Sequence, residues 1–163
     1  MKKKIVLLIL MTILLSNFCF SSSTDQIGIE IGKNFFKPGD SMFYIVSQLS
    51  MPDIIRAVRS KDVTRDFIVF YYKSEDIRFD ITNEDNIVMG IKVVNNDVKI
   101  KGLNFRIGDS IDKVLMDWGK PDYTEGSEYC YIKRGIYIKS SMDQKIEHIY
   151  ITKPDDSSQM TNV

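Results

Sequence analysis

The chain writes one local pattern twice. "FFKPGDSMFYIVSQLSMPD" runs from Phe35 to Asp53, and "NFRIGDSIDKVLMDWGKPD" runs from Asn104 to Asp122. A shift of 69 residues lays Ile31 on Ile100, Phe36 on Phe105, Gly39 on Gly108, Asp40 on Asp109, Ser41 on Ser110, Pro52 on Pro121 and Asp53 on Asp122. The physical role of each position is kept as well as its letter. After Asp109-Ser110 the apolar residues are Ile111, Val114, Leu115 and Trp118, one face of a helix. Met42, Ile45, Val46 and Leu49 take the same places after Asp40-Ser41. An Asp or Ser just before such a stripe accepts from orphan N–H groups of the first turn. That makes Asp40-Ser41 and Asp109-Ser110 capping pairs rather than catalytic ones. Gly119 suits the helix end and Pro121 stops continuation, whereas the first copy has Ser50 in place of Gly119.

Short alternating stretches, "IGIEIG" and "DVKIKG", precede the helices. Strand-like runs follow them: 66–73, 77–82 and 87–94 in the first copy, 128–133, 135–140 and 146–152 in the second. Short polar links between them signal antiparallel hairpins. The expected fold class is therefore α+β: two tandem α-βββ repeats, over 29–94 and 98–152, in one globular domain. The two helices would be core elements of equal rank. The first copy also holds "IIRAVRSKDVTR", residues 54–65, which the sequence leaves open as helix or loop.

The ends predict export. Lys2, Lys3 and Lys4 precede an apolar run from Ile5 to Leu15, the layout of a signal peptide over 1–21. Cys19 is a possible lipidation site, although Phe18 sits where a lipobox needs a small residue. A membrane partner is expected only if Cys19 is lipidated. Loss of 1–21 removes three lysines and leaves 19 basic residues against 22 acidic, a net charge of −3. That balance gives no electrostatic footprint for nucleic acid. Only Cys130 then remains, so an internal disulfide is excluded. The polar segment 153–163 predicts a flexible, frayed tail.

No catalytic, metal or cofactor motif stands out. His148 is the only histidine, and its pairing with Cys130 as a hydrolase dyad is the enzymatic alternative. Asp76, Asp80, Glu84 and Asp85 cluster at a hairpin without calcium-loop spacing. Strand alternation turns Ile136, Ile138, Ile149 and Ile151 inward and Tyr137, His148 and Tyr150 outward. Tyr129 and Tyr131, or else Cys130 and Ile132, join the outward set depending on register. Arg78, Asp80, Gly90 and Lys92 form the outward set of the first copy. A tyrosine-rich face suits protein binding, which makes Tyr131, Tyr137, His148 and Tyr150 candidate contacts. Phe43 and Tyr44 stand where the second copy has Asp112 and Lys113. They lie under the 54–65 insertion or extend the partner surface.

Gly108, Val114, Trp118, Gly119, Pro121 and Asp122, the Gly135-Ile136 strand start and the Ile149–Ile151 strand carry a family resemblance. Gly39, Ile45, Leu49, Pro52 and Asp53 repeat it in part. Over roughly 29–152 the chain resembles the SmpA/OmlA and β-lactamase-inhibitor-protein-like superfamily of bacterial envelope proteins. The resemblance implies two repeats joined in one curved sheet, helices on its convex side, and a non-enzymatic role. Such a protein would grip another envelope or extracellular protein, as an outer-membrane assembly accessory or as an inhibitor. A structural lipoprotein anchored at Cys19 is the third expectation.

Overall fold

A computed structural model describes residues 26–61 and 66–154. The predicted signal segment, Cys19 and all but the first two residues of the predicted tail lie outside the described residues. The elements in chain order are β1 (Gly28–Ile31), β2 (Asn34–Phe36), α1 (Met42–Leu49), β3 (Ile54–Val58), β4 (Phe67–Tyr72), β5 (Ile77–Thr82), β6 (Val88–Val93) and β7 (Lys99–Lys101). Then come α2 (Ile111–Trp118), β8 (Tyr123–Glu125), β9 (Glu128–Tyr131), a 3-10 turn (Ile132–Arg134), β10 (Ile136–Ser140) and β11 (Ile146–Thr152). The protein is mostly strand, in an α+β arrangement with two helices.

Eight strands form one antiparallel sheet in the order β3-β4-β5-β6-β11-β10-β9-β8. Its centre is the β6–β11 pair, where Ile91 faces Ile151 and Val93 faces Ile149. The alternating stretches before the helices do not enter this sheet. β1 and β7 pair with each other, and β2 adds to β1, as a separate three-stranded sheet.

Alternation selects the inner face. Phe79, Ile91, Ile151, Ile136 and Tyr131 lie on one cross-strand row, and Ile77, Val93, Ile149 and Ile138 on the next. All are buried in a single core cluster with Ile45, Ile111 and Val114 from the helices and Ile29, Phe36 and Ile100 from the small sheet. Removing this apolar surface from water is the main driving force for the fold. Both helices therefore pack against the inner face.

The repeated letters of the sequence make repeated hydrogen bonds. The Ser41 and Ser110 hydroxyls accept from the N–H groups of Phe43 and Asp112, at 3.2 Å each. The Asp40 and Asp109 carboxylates accept from the N–H groups of Lys37 and Arg106, closing the glycine turns. Gly39 and Gly108, at φ of 98° and 87°, donate to Val88 and Ile146 at the starts of β6 and β11. The two Pro-Asp pairs act further on: the Asp53 and Asp122 carboxylates accept from the N–H groups of Lys73 and Lys133 in the next hairpin turns.

The helix ends match although their residues differ. Gly119 has φ 75° and Ser50 has φ 66°. Serine is disfavoured there. Each carbonyl accepts from a tyrosine hydroxyl on the inner face, Ser50 from Tyr72 at 3.0 Å and Gly119 from Tyr131 at 2.9 Å.

Two expectations need correction. Four strands follow each helix, not three, because β3 and β8 pair on β4 and β9 at the sheet edges. Residues 54–58 are thus strand, neither helix nor loop, and they do not cover the start of α1. Phe43 is 70% exposed, while Tyr44 lies on the Phe36 ring at 5.5 Å and donates to the Phe35 carbonyl.

Candidate functional site

The second face of the large sheet carries neither helix. Its middle row runs Tyr71, Arg78, Lys92, Tyr150, Tyr137, Cys130 and Tyr123 across seven strands. The next row on one side is Val69, Asp80, Gly90 and Thr152. On the other half, Glu128, Lys139 and His148 face one another across β9, β10 and β11. Val69 and Cys130 are buried here, yet neither belongs to the core cluster.

The first half of the face is a closed polar network. Arg78 and Asp80 stand two residues apart on β5. The guanidinium grips the carboxylate with Nε at 2.7 Å and a terminal nitrogen at 2.6 Å. Tyr150 crosses from β11 and donates to the same carboxylate at 2.9 Å. It passes over Gly90, where a Cβ would sit 2.1 Å from the tyrosine oxygen; no larger residue leaves that path open. Asp80 is 1% exposed, so its charge needs these partners. Burial first, then the Asp80 charge, push the Tyr150 hydroxyl well above its ordinary value. The hydrogen bond to Asp80 likewise holds Arg78 more firmly protonated.

The second half is built in the same register with different chemistry. Lys92 stands to His148 and Lys139 as Tyr150 stands to Gly90 and Asp80. Bulges at Asp80/Ile81 and Lys139/Ser140 set this correspondence. Burial, then Lys92, Lys139 and Arg78, push the His148 imidazole down to about 4. The Tyr137 and Tyr150 rings of the adjoining row lie 6.2 Å from each other.

The shift on His148 has a pH consequence. The folded value of about 4 lies below the ordinary 6.5, so the unfolded chain takes up the proton first as pH falls. Stability from this group is full above 6.5, declines through the window down to about 4, and is constant below it. We expect a loss of about 1–2 kcal/mol, less than the whole shift, because water screens a half-buried ring. Urea denaturation at the two ends of the window, for the wild type and for His148→Gln, isolates this part from the carboxylates. Equal pH dependence of the two proteins counts against it.

The sequence-predicted contacts separate in space. Tyr137, His148 and Tyr150 share the second face. Tyr131 does not: the register that turns Cys130 outward turns Tyr131 into the core, where it is 4% exposed and edge-on to Trp118 at 5.2 Å. Its place on a binding face is withdrawn. Phe43 and Tyr44 lie on α1, on the other side of the sheet. Tyr71, Tyr123 and Lys139 join the face and were missed. The run "DFIVFYYK" hid the alternation at Tyr71, and strand β8, which carries Tyr123, gave no apolar signal.

Cys130 and His148 do not meet as a dyad. They lie two strands and two residues apart, about 12 Å from standard sheet spacing. Burial pushes the Cys130 thiol up, and the imidazole is pushed down, the reverse of a thiolate–imidazolium pair. The Tyr123 hydroxyl, bonded to Cys130, is pushed up to about 12. The hairpin acids also disperse: Asp76 accepts from the Tyr71 hydroxyl, and Asp80 is taken by Arg78. Among the described residues no group of three His, Cys, Asp or Glu is placed to hold a metal ion. No described helix is long and apolar enough to cross a membrane.

No protein family matches the chain, and no curated protein matches it. Among solved structures, the chain is similar to an extracellular protein containing a SCP domain from Bacillus anthracis str. Ames, known from a crystal structure at 1.5 Å. The TM-score is 0.51 at 10% identity, over 76% of this chain and 45% of the other. At that identity the likeness is one of fold. This chain spans less than half the length of that protein.

Proposed function

We propose that this protein is an exported, non-catalytic binding module that holds a partner protein on the second face of its large sheet. The observation that carries the proposal is the row of tyrosines among fixed charged groups, on a face that neither helix covers. Tyrosine gives large contact area and a hydrogen bond at low entropic cost. The basic and apolar N-terminal segment supports export, and the similar solved protein is itself described as extracellular. The paired caps, glycine turns and tyrosine clamps support a tandem repeat of the SmpA/OmlA and inhibitor-like kind. Its place would be the periplasm, the cell envelope or the medium.

Affinity capture from envelope and medium fractions tests this, with wild type and Tyr137→Asp compared side by side. The expected result is a protein recovered by the wild type and lost with the variant, while the thermal midpoints agree. Equal recovery by both, or no recovered protein, sinks the reading. The rival cysteine hydrolase predicts that Cys130→Ser abolishes activity; our reading predicts that the variant keeps full biological effect.

A further inference from the structure

The two halves of the second face differ in one respect that points outward. In the first half every charge is answered inside the molecule: Asp80 takes Arg78 and the Tyr150 hydroxyl. In the related half the acid's place is held by Lys139, and the crossing residue is Lys92 rather than a tyrosine. Lys92 and Lys139 form no ion pair among the described residues. Glu128 faces Lys139 across the strands without pairing to it. Arg78 sits directly opposite Lys92, and like charges so placed destabilise a sheet. Between the two lysines lies His148, whose imidazole is pushed down by burial first and then by Lys92 and Lys139. Tyr137 and Tyr150 stand in the adjoining cross-strand row.

We infer that this half of the face receives an acidic segment of the partner protein, in extended form. The inference rests on the docking reading above and names the partner's chemistry. Charge complementarity selects an anion, and spacing selects its kind. Lys92 and Lys139 lie on strands either side of β11, two residues out of step, which puts their stems about 12 Å apart. Two carboxylates four residues apart on an extended chain share one face and match that spacing, at about 3.3 Å per residue.

Fluorescein-labelled hexaglutamate is the probe. The full chain is expected to bind it, more weakly as salt rises. Lys92→Glu with Lys139→Glu is expected to weaken it about tenfold or more. Both lysines are half-buried on this face, so a thermal melt of the double variant, and of Lys92→Gln with Lys139→Gln beside it, separates lost binding from lost folding. Proton NMR of His148 supplies a second readout: its titration shifts upward when hexaglutamate is present, because carboxylates replace bare positive charge beside it. No binding, or binding untouched by the double reversal, overturns the inference. So does equal competition by inorganic phosphate or by anionic phospholipid vesicles, which would indicate a phosphate site or a membrane surface. Partner capture that depends on Tyr137, together with failure of hexaglutamate, would leave the docking reading standing and remove this one alone.

Discussion

Trp118→Ala is expected to lower stability by about 3–5 kcal/mol, the range of large aromatic truncations in a packed interior. The indole is where the second helix, the segment before it and the large sheet meet. Phe105 packs edge-on to it at 4.9 Å and Tyr131 at 5.2 Å. The Arg134 guanidinium lies over it at 4.6 Å. Alanine removes both aromatic pairs and the cation contact at once, each worth a fraction of a kcal/mol or more beyond area. It also loosens Tyr131, whose hydroxyl clamps the Gly119 carbonyl. Leu49, the matching residue of the first helix, has no ring of its own to pair edge-on or to take a cation, and Leu49→Ala should cost about 2 kcal/mol, the low end for its type. Urea unfolding of both variants checks the order. A Trp118→Ala loss under about 0.5 kcal/mol, the size of an ordinary surface change, would mean that the indole is not a packing element.

Asp80→Ala is expected to cost about 2–4 kcal/mol, somewhat under the figure for breaking a fully buried pair. The Asp80 side chain is 2% exposed and that of Arg78 33%, so the guanidinium recovers part of its hydration when its partner is lost. The Tyr150 hydroxyl has less freedom, because its ring lies over Gly90. Tyr150→Phe should therefore be milder alone and nearly without effect in the Asp80→Ala background. A coupling of about 1–2 kcal/mol between the two is the expected outcome of the double-mutant cycle. Strict additivity would show that the bond from Tyr150 to Asp80 contributes nothing to the folded state.

The sequence made some of this visible for clear physical reasons. Ile136, Ile138, Ile149 and Ile151 alternate with polar residues, and all four are buried on one face. Ser41 and Ser110 sit one residue before an apolar stripe, and both cap. The rest was hidden by the same physics. β3 has alternation blurred by Ile54 and Ile55, which are 42% and 53% exposed at the sheet edge, so no periodicity marks it. In "EYCY" Tyr129, Cys130 and Tyr131 each tolerate burial, and only pairing with β10 decides that Tyr131 goes in and Cys130 out. The second face of the sheet was the least legible part. Bringing Arg78 and Lys92 beside Tyr150 depends on pairing between β6 and β11, strands far apart in the chain, and on bulges that change the phase of each. A local pattern carries neither.

The place of β11 has a consequence for how the molecule forms. It is the last strand of the described residues, and it lies at the middle of the large sheet between β6 and β10. Every other neighbour pair in that sheet joins strands consecutive in sequence, so those hairpins close short loops and form early. The β6–β11 pair alone must close a long loop, the slower kind of event. Until it does, β6 and β10 are open edges whose unmatched N–H and carbonyl groups invite association between chains. The nascent polypeptide therefore stays two loosely related hairpin arrays until its final strand is made. Late closure at the centre keeps the two arrays apart longest.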